Sequence, residues 1–151
     1  MADIVSPEKR SLMMAGIRGK NTKPELAVRS GLHALGFRYR LHCASLPGKP
    51  DLVFPGRKAV IFVHGCFWHL HDCHLFKWLK SRSAFWWKKI TANARTDENH
   101  LADLRQDGWR ILVIWECALK GKTRLPPGEA VLQAACRLES RNEFSEIQGR
   151  D

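Results

Sequence analysis

Apolar and polar positions follow two different rhythms along this chain. Leu26, Val28, Leu32 and Leu35 recur at a mostly helical spacing. Signals for both ends bracket that run: Thr22 can cap it, Pro24 suits the first turn, Glu25 completes a capping box and Gly36 can close it. The pattern then shortens. Residues 37 to 42 alternate as a strand does, and Leu46-Pro47-Gly48-Lys49-Pro50 is turn-rich. Apolar runs at 51–54 and 59–63 flank the turn Pro55-Gly56-Arg57-Lys58, so residues 51 to 63 read as a hairpin. A long helix from about Arg82 to Gln106 carries the stripe Ile90, Ala94, Leu101, Leu104, with Gly108 past its end. Arg110 to Trp115 is apolar through its centre, as a strand buried on both faces would be. Pro126-Pro127 starts a last helix through Leu138. The order helix, three strands, helix, strand, helix predicts an α/β sandwich, a mixed sheet flanked by helices.

At 151 residues the chain is most economically one domain with a sizeable core. Residues 1–20 are basic and rich in Met and small residues, and are expected to form an arm outside a single domain at 21–151. Charge alters this ordinary picture. Lys and Arg number 25 against 15 Asp and Glu, a net +10, which favours a polyanionic partner, nucleic acid foremost. A membrane surface fits less well, since no amphipathic helix with a Lys/Arg face stands out. Neither a secretory signal nor an apolar span of membrane length is read, so a cytoplasmic protein is expected. The five cysteines, Cys43, Cys66, Cys73, Cys117 and Cys136, then read as free thiols or metal ligands.

The densest chemistry lies at 63–74, Val63-His64-Gly65-Cys66-Phe67-Trp68-His69-Leu70-His71-Asp72-Cys73-His74, directly after an apolar strand. Cys66, His71 and Cys73 are zinc-ligand types, and Cys117, just past the strand at 110–115, can supply a fourth. His64, His69 or His74 could substitute, and buried thiols with satisfied histidines are the plainer alternative. Asp51 opens a strand, where a carboxylate close to backbone carbonyls can hold Mg2+, although a Pro-Asp pair more often marks a turn. At about 100° per residue, Asp97 falls on the apolar stripe of its helix and so needs a partner; a histidine from 64–74 would serve, and a slight rotation of the helix would leave it solvated instead. Phe67-Trp68 falls in what should be a loop, where both rings are hard to bury. With Phe85, Trp86, Trp87 and the cations Lys77, Lys80, Arg82, Lys88 and Lys89, it fits a nucleic-acid surface.

Three segments carry a more specific likeness: Ser45-Leu46-Pro47-Gly48-Lys49-Pro50-Asp51, Val60-Ile61-Phe62-Val63-His64-Gly65-Cys66-Phe67-Trp68-His69, and Trp109-Arg110-Ile111-Leu112-Val113-Ile114-Trp115-Glu116-Cys117-Ala118-Leu119. In their order, from about Arg10 to Gly121, the chain resembles the very-short-patch mismatch repair (Vsr) endonucleases. The resemblance implies a restriction-endonuclease-like sheet, a monomer, and a nick beside T:G mismatches left by 5-methylcytosine deamination. It implies Mg2+ at Asp51 and the Val63 carbonyl, His69 as general base, Asp97 as its orienting partner, and Glu25 and His64 as supporting polar groups. Structural zinc is implied at Cys66, His71, Cys73 and Cys117. DNA wedges are implied at Phe67, Trp68 and Trp86, with Met14 in an arm reaching the opposite groove, and contacts with other mismatch-repair proteins are further expected partners. The chain lacks the Glu-x-Lys that many restriction-type nucleases place after the aspartate, and its tail after about Gly121 has no match.

Two rival readings share these residues. One is a restriction- or resolvase-like nuclease with another target. The other is a zinc-stabilised DNA-binding module without cleavage, which would need neither Asp51 nor His69.

Overall fold

The computed structural model describes residues 22–150. The expected arm at 1–20, Met14 included, lies outside them. Helix α1 spans Lys23–Ala34 and is capped as its sequence predicts, with the Thr22 hydroxyl accepting from Glu25 N at 3.4 Å. Strand β1 is only Arg40–Leu41, shorter than the alternation at 37–42 suggests. Phe37 and Tyr39 instead turn their rings against Phe54, edge-on at 6.3 and 5.8 Å, and join the core as packed aromatics. Strands β2 (Leu52–Phe54) and β3 (Ala59–His64) form the expected hairpin, their turn tightened into a 3-10 segment at Pro55–Arg57. Helix α2 (Ser83–Gln106), strand β4 (Arg110–Trp115) and helix α3 (Glu129–Glu139) follow. The last helix starts at Glu129 and not at the prolines, because Gly128, at φ +82°, turns the chain into it. A further strand, β5 (Phe144–Ile147), lies in the tail that carried no expectation.

The sheet order is β1-β2-β3-β4-β5, antiparallel at β1–β2–β3 and parallel at β3–β4–β5. Alternation along the strands sorts the core into two faces. Leu52, Phe54, Ala59, Ile61, Leu112 and Ile114 pack with Val28 and Leu32 of α1 and with Ala130, Ala134 and Leu138 of α3. Val53, Val60, Phe62, Ile111 and Val113 face the other way, against Leu101 and Leu104 of α2. Gly31 lets α1 and α3 close on one another: a Cβ there would sit 2.7 Å from Val131 Cγ2. The same alternation decides where chemistry can gather. Asp51, two residues before Val53, and His64, two after Phe62, fall on the α2 face. Among the described residues, no helix is long and apolar enough to cross a membrane.

One cation ties the lower end of this sandwich together. The Arg110 guanidinium donates to the carbonyls of Arg137, Leu138 and Ser140 at the end of α3, and to that of Arg57 in the hairpin turn. Carbonyls at a helix C-terminus run short of amide donors, although that of Arg137 also accepts from Ser140 N, and charge-assisted bonds to them exceed neutral ones. Arg110→Met should therefore cost on the order of 2 kcal/mol or more. A lower urea midpoint with an unchanged slope is the expected result; an unchanged midpoint would mean that water replaces the guanidinium at no cost.

Candidate active site and metal centre

Six-residue parallel pairing of β3 with β4, from Ala59↔Arg110 to His64↔Trp115, brings the exits of both strands to one edge. The loop after β3 carries Cys66 to His74, and a 3-10 turn after β4, Glu116–Ala118, carries Cys117. Glu116 stitches the two exits together by accepting from Cys66 N at 3.1 Å, and Lys120 holds its other oxygen at 3.3 Å. A cleft of about 980 Å3 opens beside this edge, lined by Glu25, Asp51, His64, His69, Asp97 and Glu116 among others.

On the cleft side, His69 Nδ1 meets Asp97 Oδ2 at 2.5 Å, so Asp97 does face inward and does find a histidine. An ionised carboxylate only accepts, which puts the proton on Nδ1 and leaves the Nε2 lone pair able to take another. Asn93, one helical turn before Asp97, donates to the Trp68 carbonyl at 3.2 Å. Two side chains of α2 at i and i+4 thus grip consecutive residues of the loop. His64 stacks on His69 with ring centres 3.8 Å apart and planes 8° apart. It is 7% exposed, and burial, then the neighbouring His69 and His71, holds it well below the ordinary imidazole range. Its ring is thereby kept neutral.

Asp51 lies across the cleft. Its Oδ2 accepts from Val63 N at 2.7 Å, which pins the carboxylate to the end of β3. Glu25, 2% exposed, is held by His42 Nε2 at 2.7 Å and Arg29 Nη1 at 3.0 Å. Carboxylate oxygens of Glu25 and Asp51 and a ring nitrogen of His42 lie within 4.8 Å of one another, hard-cation donors in part. Burial first, and then the Glu25 charge, raises Asp51 to about 6, against the opposing effect of Val63 N–H and the His42 and His69 charges. Glu25 has the Arg29 guanidinium as its cation, and the Asp51 carboxylate lines the cleft, where a hard cation could join it.

The second cluster lies behind the loop. Cys66, His71, Cys73 and Cys117 bring one donor atom each to within 4.8 Å of the others. His71 Nδ1 is 3.5 Å from Cys66 Sγ and 3.7 Å from Cys117 Sγ. With metal–sulfur bonds of about 2.3 Å and metal–nitrogen bonds of about 2.0 Å, the edges of a tetrahedron are about 3.5 to 3.8 Å. Both His71 edges match that figure, and with all four donors inside 4.8 Å the cluster could hold a four-coordinate ion. Burial and the adjoining thiols push Cys66 and Cys117 upward as free acids, so a cation is what would ionise them. Cys43 and Cys136 lie outside this cluster, and His74 reaches Thr123 at 3.4 Å. His71 also stacks on Trp115, 4.0 Å between centres.

The aromatic expectation needs correction. Trp68 is only 8% exposed, because the loop is covered by α2 and its rings have partners. Phe67, Trp68 and Trp86 pack edge-on at 5.2 to 5.7 Å, with Phe76 stacked on Phe67. Phe67 and Trp86 are half-buried, and the rings open to solvent are Trp78, Phe85 and Trp87. His42, Asn93 and Glu116 also hold this site together, although the sequence marks out neither His42 nor Glu116. Asn93 alone carried a signal, its i−4 spacing from Asp97.

Comparison with known proteins follows the same outline. The family model for DNA mismatch endonuclease Vsr matches residues 2–75. A type II nicking enzyme of Xanthomonas oryzae pv. oryzae, V.XorIIP, is 52% identical over 119 residues, 79% of this chain and 88% of that protein. The DNA mismatch endonuclease Vsr of Escherichia coli is 43% identical over 125 residues, 83% of this chain and 80% of its own. A Neisseria meningitidis nicking enzyme, V.NmeAIP, is 44% identical over 122 residues, 81% of this chain and 87% of that protein.

The raised Asp51 has a measurable consequence. The folded protein retains a proton that the unfolded chain, at an ordinary 3.8, gives up. The contribution of this one group is therefore full below about pH 4, falls as pH rises through 4 to 6, and should have lost about 3 kcal/mol by pH 7. Asp51→Asn keeps an acceptor for Val63 N–H and removes that loss. In chelator at pH 8 it should resist urea better than the parent by up to about 3 kcal/mol, with the gap closing near pH 4. Matching midpoints at pH 8 would contradict a penalised carboxylate.

Proposed function

The chain belongs to the DNA mismatch endonuclease Vsr family, and on that premise we propose that it nicks one strand of duplex DNA beside a T:G mismatch by Mg2+-assisted hydrolysis. The observation that carries this reading is the His69–Asp97 pair, 2.5 Å apart, opening on the same cleft as the half-buried Asp51. A module that only bound DNA would need neither half of that arrangement. The net charge of +10 favours the phosphate backbone as partner.

Roles follow from the chemistry of each group. His69, through Nε2, takes the proton from an attacking water, and Asp97, a positioning residue, fixes the ring and offsets the charge it gains. Neutral His64 packs against that ring without competing for the proton. Asp51 and the Val63 carbonyl would hold Mg2+, with Glu25 a supporting acid beside them. When bound, that ion neutralises the phosphate and the charge on the leaving oxygen. Cys66, His71, Cys73 and Cys117 would hold zinc as a structural ion, which keeps the loop and with it His69 in place. Phe67, Trp68 and Trp86 form one apolar unit at the cleft lip, suited to wedging between base steps that a mismatch has already weakened. Its outermost rings meet the bases first, with Trp68 as the anchor packed edge-on against both.

Strand-resolved cleavage of a labelled duplex with one T:G mismatch tests the whole reading. A Mg2+-dependent nick in the T strand alone is expected, abolished in Asp51→Asn with DNA binding kept, and slowed about 10²- to 10⁴-fold in Asp97→Asn. Equal cutting of a matched duplex would instead favour a restriction-like nuclease with another target.

Cys117→Ala should lose its zinc, and since structural zinc binding is largely folding energy, it should also melt earlier. Metal analysis and thermal unfolding check both parts; a variant that keeps one zinc per chain would remove Cys117 from the ligand set.

A further inference from the structure

The metal cluster is closed from outside by a part of the chain that no motif singles out. β5 runs parallel to β4 with Ile147 opposite Ile114, which delivers residues 148–150 to the exit where Cys117 lies. There the Gln148 side-chain oxygen meets His71 Nε2 at 2.9 Å, and Gly149 N donates to Cys117 Sγ at 3.3 Å. The next residue fastens the path: Arg150 N donates to the Thr123 carbonyl at 2.8 Å, and its guanidinium pairs with Glu129 of α3 at 3.0 Å. Thr123 in turn donates through its hydroxyl to the Cys117 carbonyl at 3.4 Å.

Gly149 occupies a position that no other residue fits. A Cβ built there would lie 2.5 Å from the Cys117 carbonyl oxygen and 2.6 Å from that of Thr123, and nearer still to the Thr123 hydroxyl. Two of those three atoms are backbone and cannot swing aside. The chain therefore passes so close to Cys117 that its own amide becomes a donor to the sulfur. Gln148 works from the opposite side of the cluster. With His71 Nδ1 turned toward the thiols, the ring proton sits on Nε2, and the Gln148 oxygen accepts it.

We propose that Gln148 and Gly149 are positioning residues of the metal centre, the C-terminal segment acting as a clasp that fixes the His71 ring and the Cys117 sulfur for the ion. The inference rests on the zinc reading of the four-ligand cluster. Hydrogen bonds to ligands from beyond the coordination shell set ring orientation and temper the charge on sulfur, and their loss typically weakens metal binding. His71 is two residues from His69, so an imidazole free to tilt there loosens the loop that carries the proposed base.

The full chain, loaded with zinc, allows a direct test with Gln148→Ala, Gln148→Glu and Gly149→Ala. Zinc transfer to a colorimetric chelator gives the release rate, and the visible absorption of the cobalt-substituted protein reports ligand geometry. Gln148→Ala is expected to release zinc about tenfold to a hundredfold faster. Gln148→Glu, which keeps an acceptor for Nε2–H, should release it at close to the parent rate. Gly149→Ala should also release faster and shift the cobalt band; Gln148 is exposed, so its variants keep the test sound even if Gly149→Ala folds poorly. Parent-like release with an unchanged cobalt spectrum in Gln148→Ala would overturn the clasp while leaving the zinc reading intact. A parent chain that binds neither zinc nor cobalt would remove the zinc reading, and the clasp with it.

Discussion

Everything in the site depends on the register of one strand pair. With His64 opposite Trp115, the parallel ladder of β3 and β4 ends both strands at the same height. Two stretches some fifty residues apart are thereby released side by side, one rich in His and Cys, the other bearing Glu116 and Cys117. A slip of one residue would turn His64 from the α2 face into the opposite core and separate it from His69. Both faces of these strands are lined with buried aliphatic residues, so such a slip would move apolar groups wholesale, and the register is fixed by packing before any polar contact forms.

Three kinds of polar contact then build on that frame. α2 reaches across with Asn93 and Asp97 and grips the loop from the cleft side. Glu116 binds it from beneath, through Cys66 N. The thiols and His71 gather it from behind. A loop held on three sides no longer behaves as a loop, and this explains how it keeps the His69 ring stacked at 3.8 Å on His64, the last residue of β3. Asp51 and Glu25 are the counterweight. Burial of Asp51 beside Glu25 works against the folded state wherever Asp51 is charged, and the packing of the two cores has to bear that cost.

Residue chemistry and periodicity made much of this legible. Thr22 and Glu25 announced the first helix, two apolar runs about a Pro-Gly turn announced the hairpin, and the inward angle of Asp97 announced a partner that proved to be His69. What stayed hidden has physical causes. β5 reads Phe-Ser-Glu-Ile, apolar at its ends and not at alternate positions, so it has no period-2 signal; its place comes from pairing with β4 alone. The burial of Trp68 depends on a helix that arrives from later in the chain, which loop composition could not foretell. His42 projects from beside a strand of two residues, at φ +47°, a conformation selected by its bonds to Glu25 and Asp51 rather than by local preference. Gln148 and Gly149 carry no ligand chemistry of their own, so nothing in their identity pointed to a metal cluster.

The two margins of the sheet have a consequence for how the molecule meets its substrate. β1 offers two residues and β5 four, too little exposed backbone for a second copy to add a strand against either side. Edge-to-edge strand pairing, one route by which two copies could set a second cleft against the complementary strand, is thereby closed. The stunted edges thus favour an interrupted strand over a severed duplex.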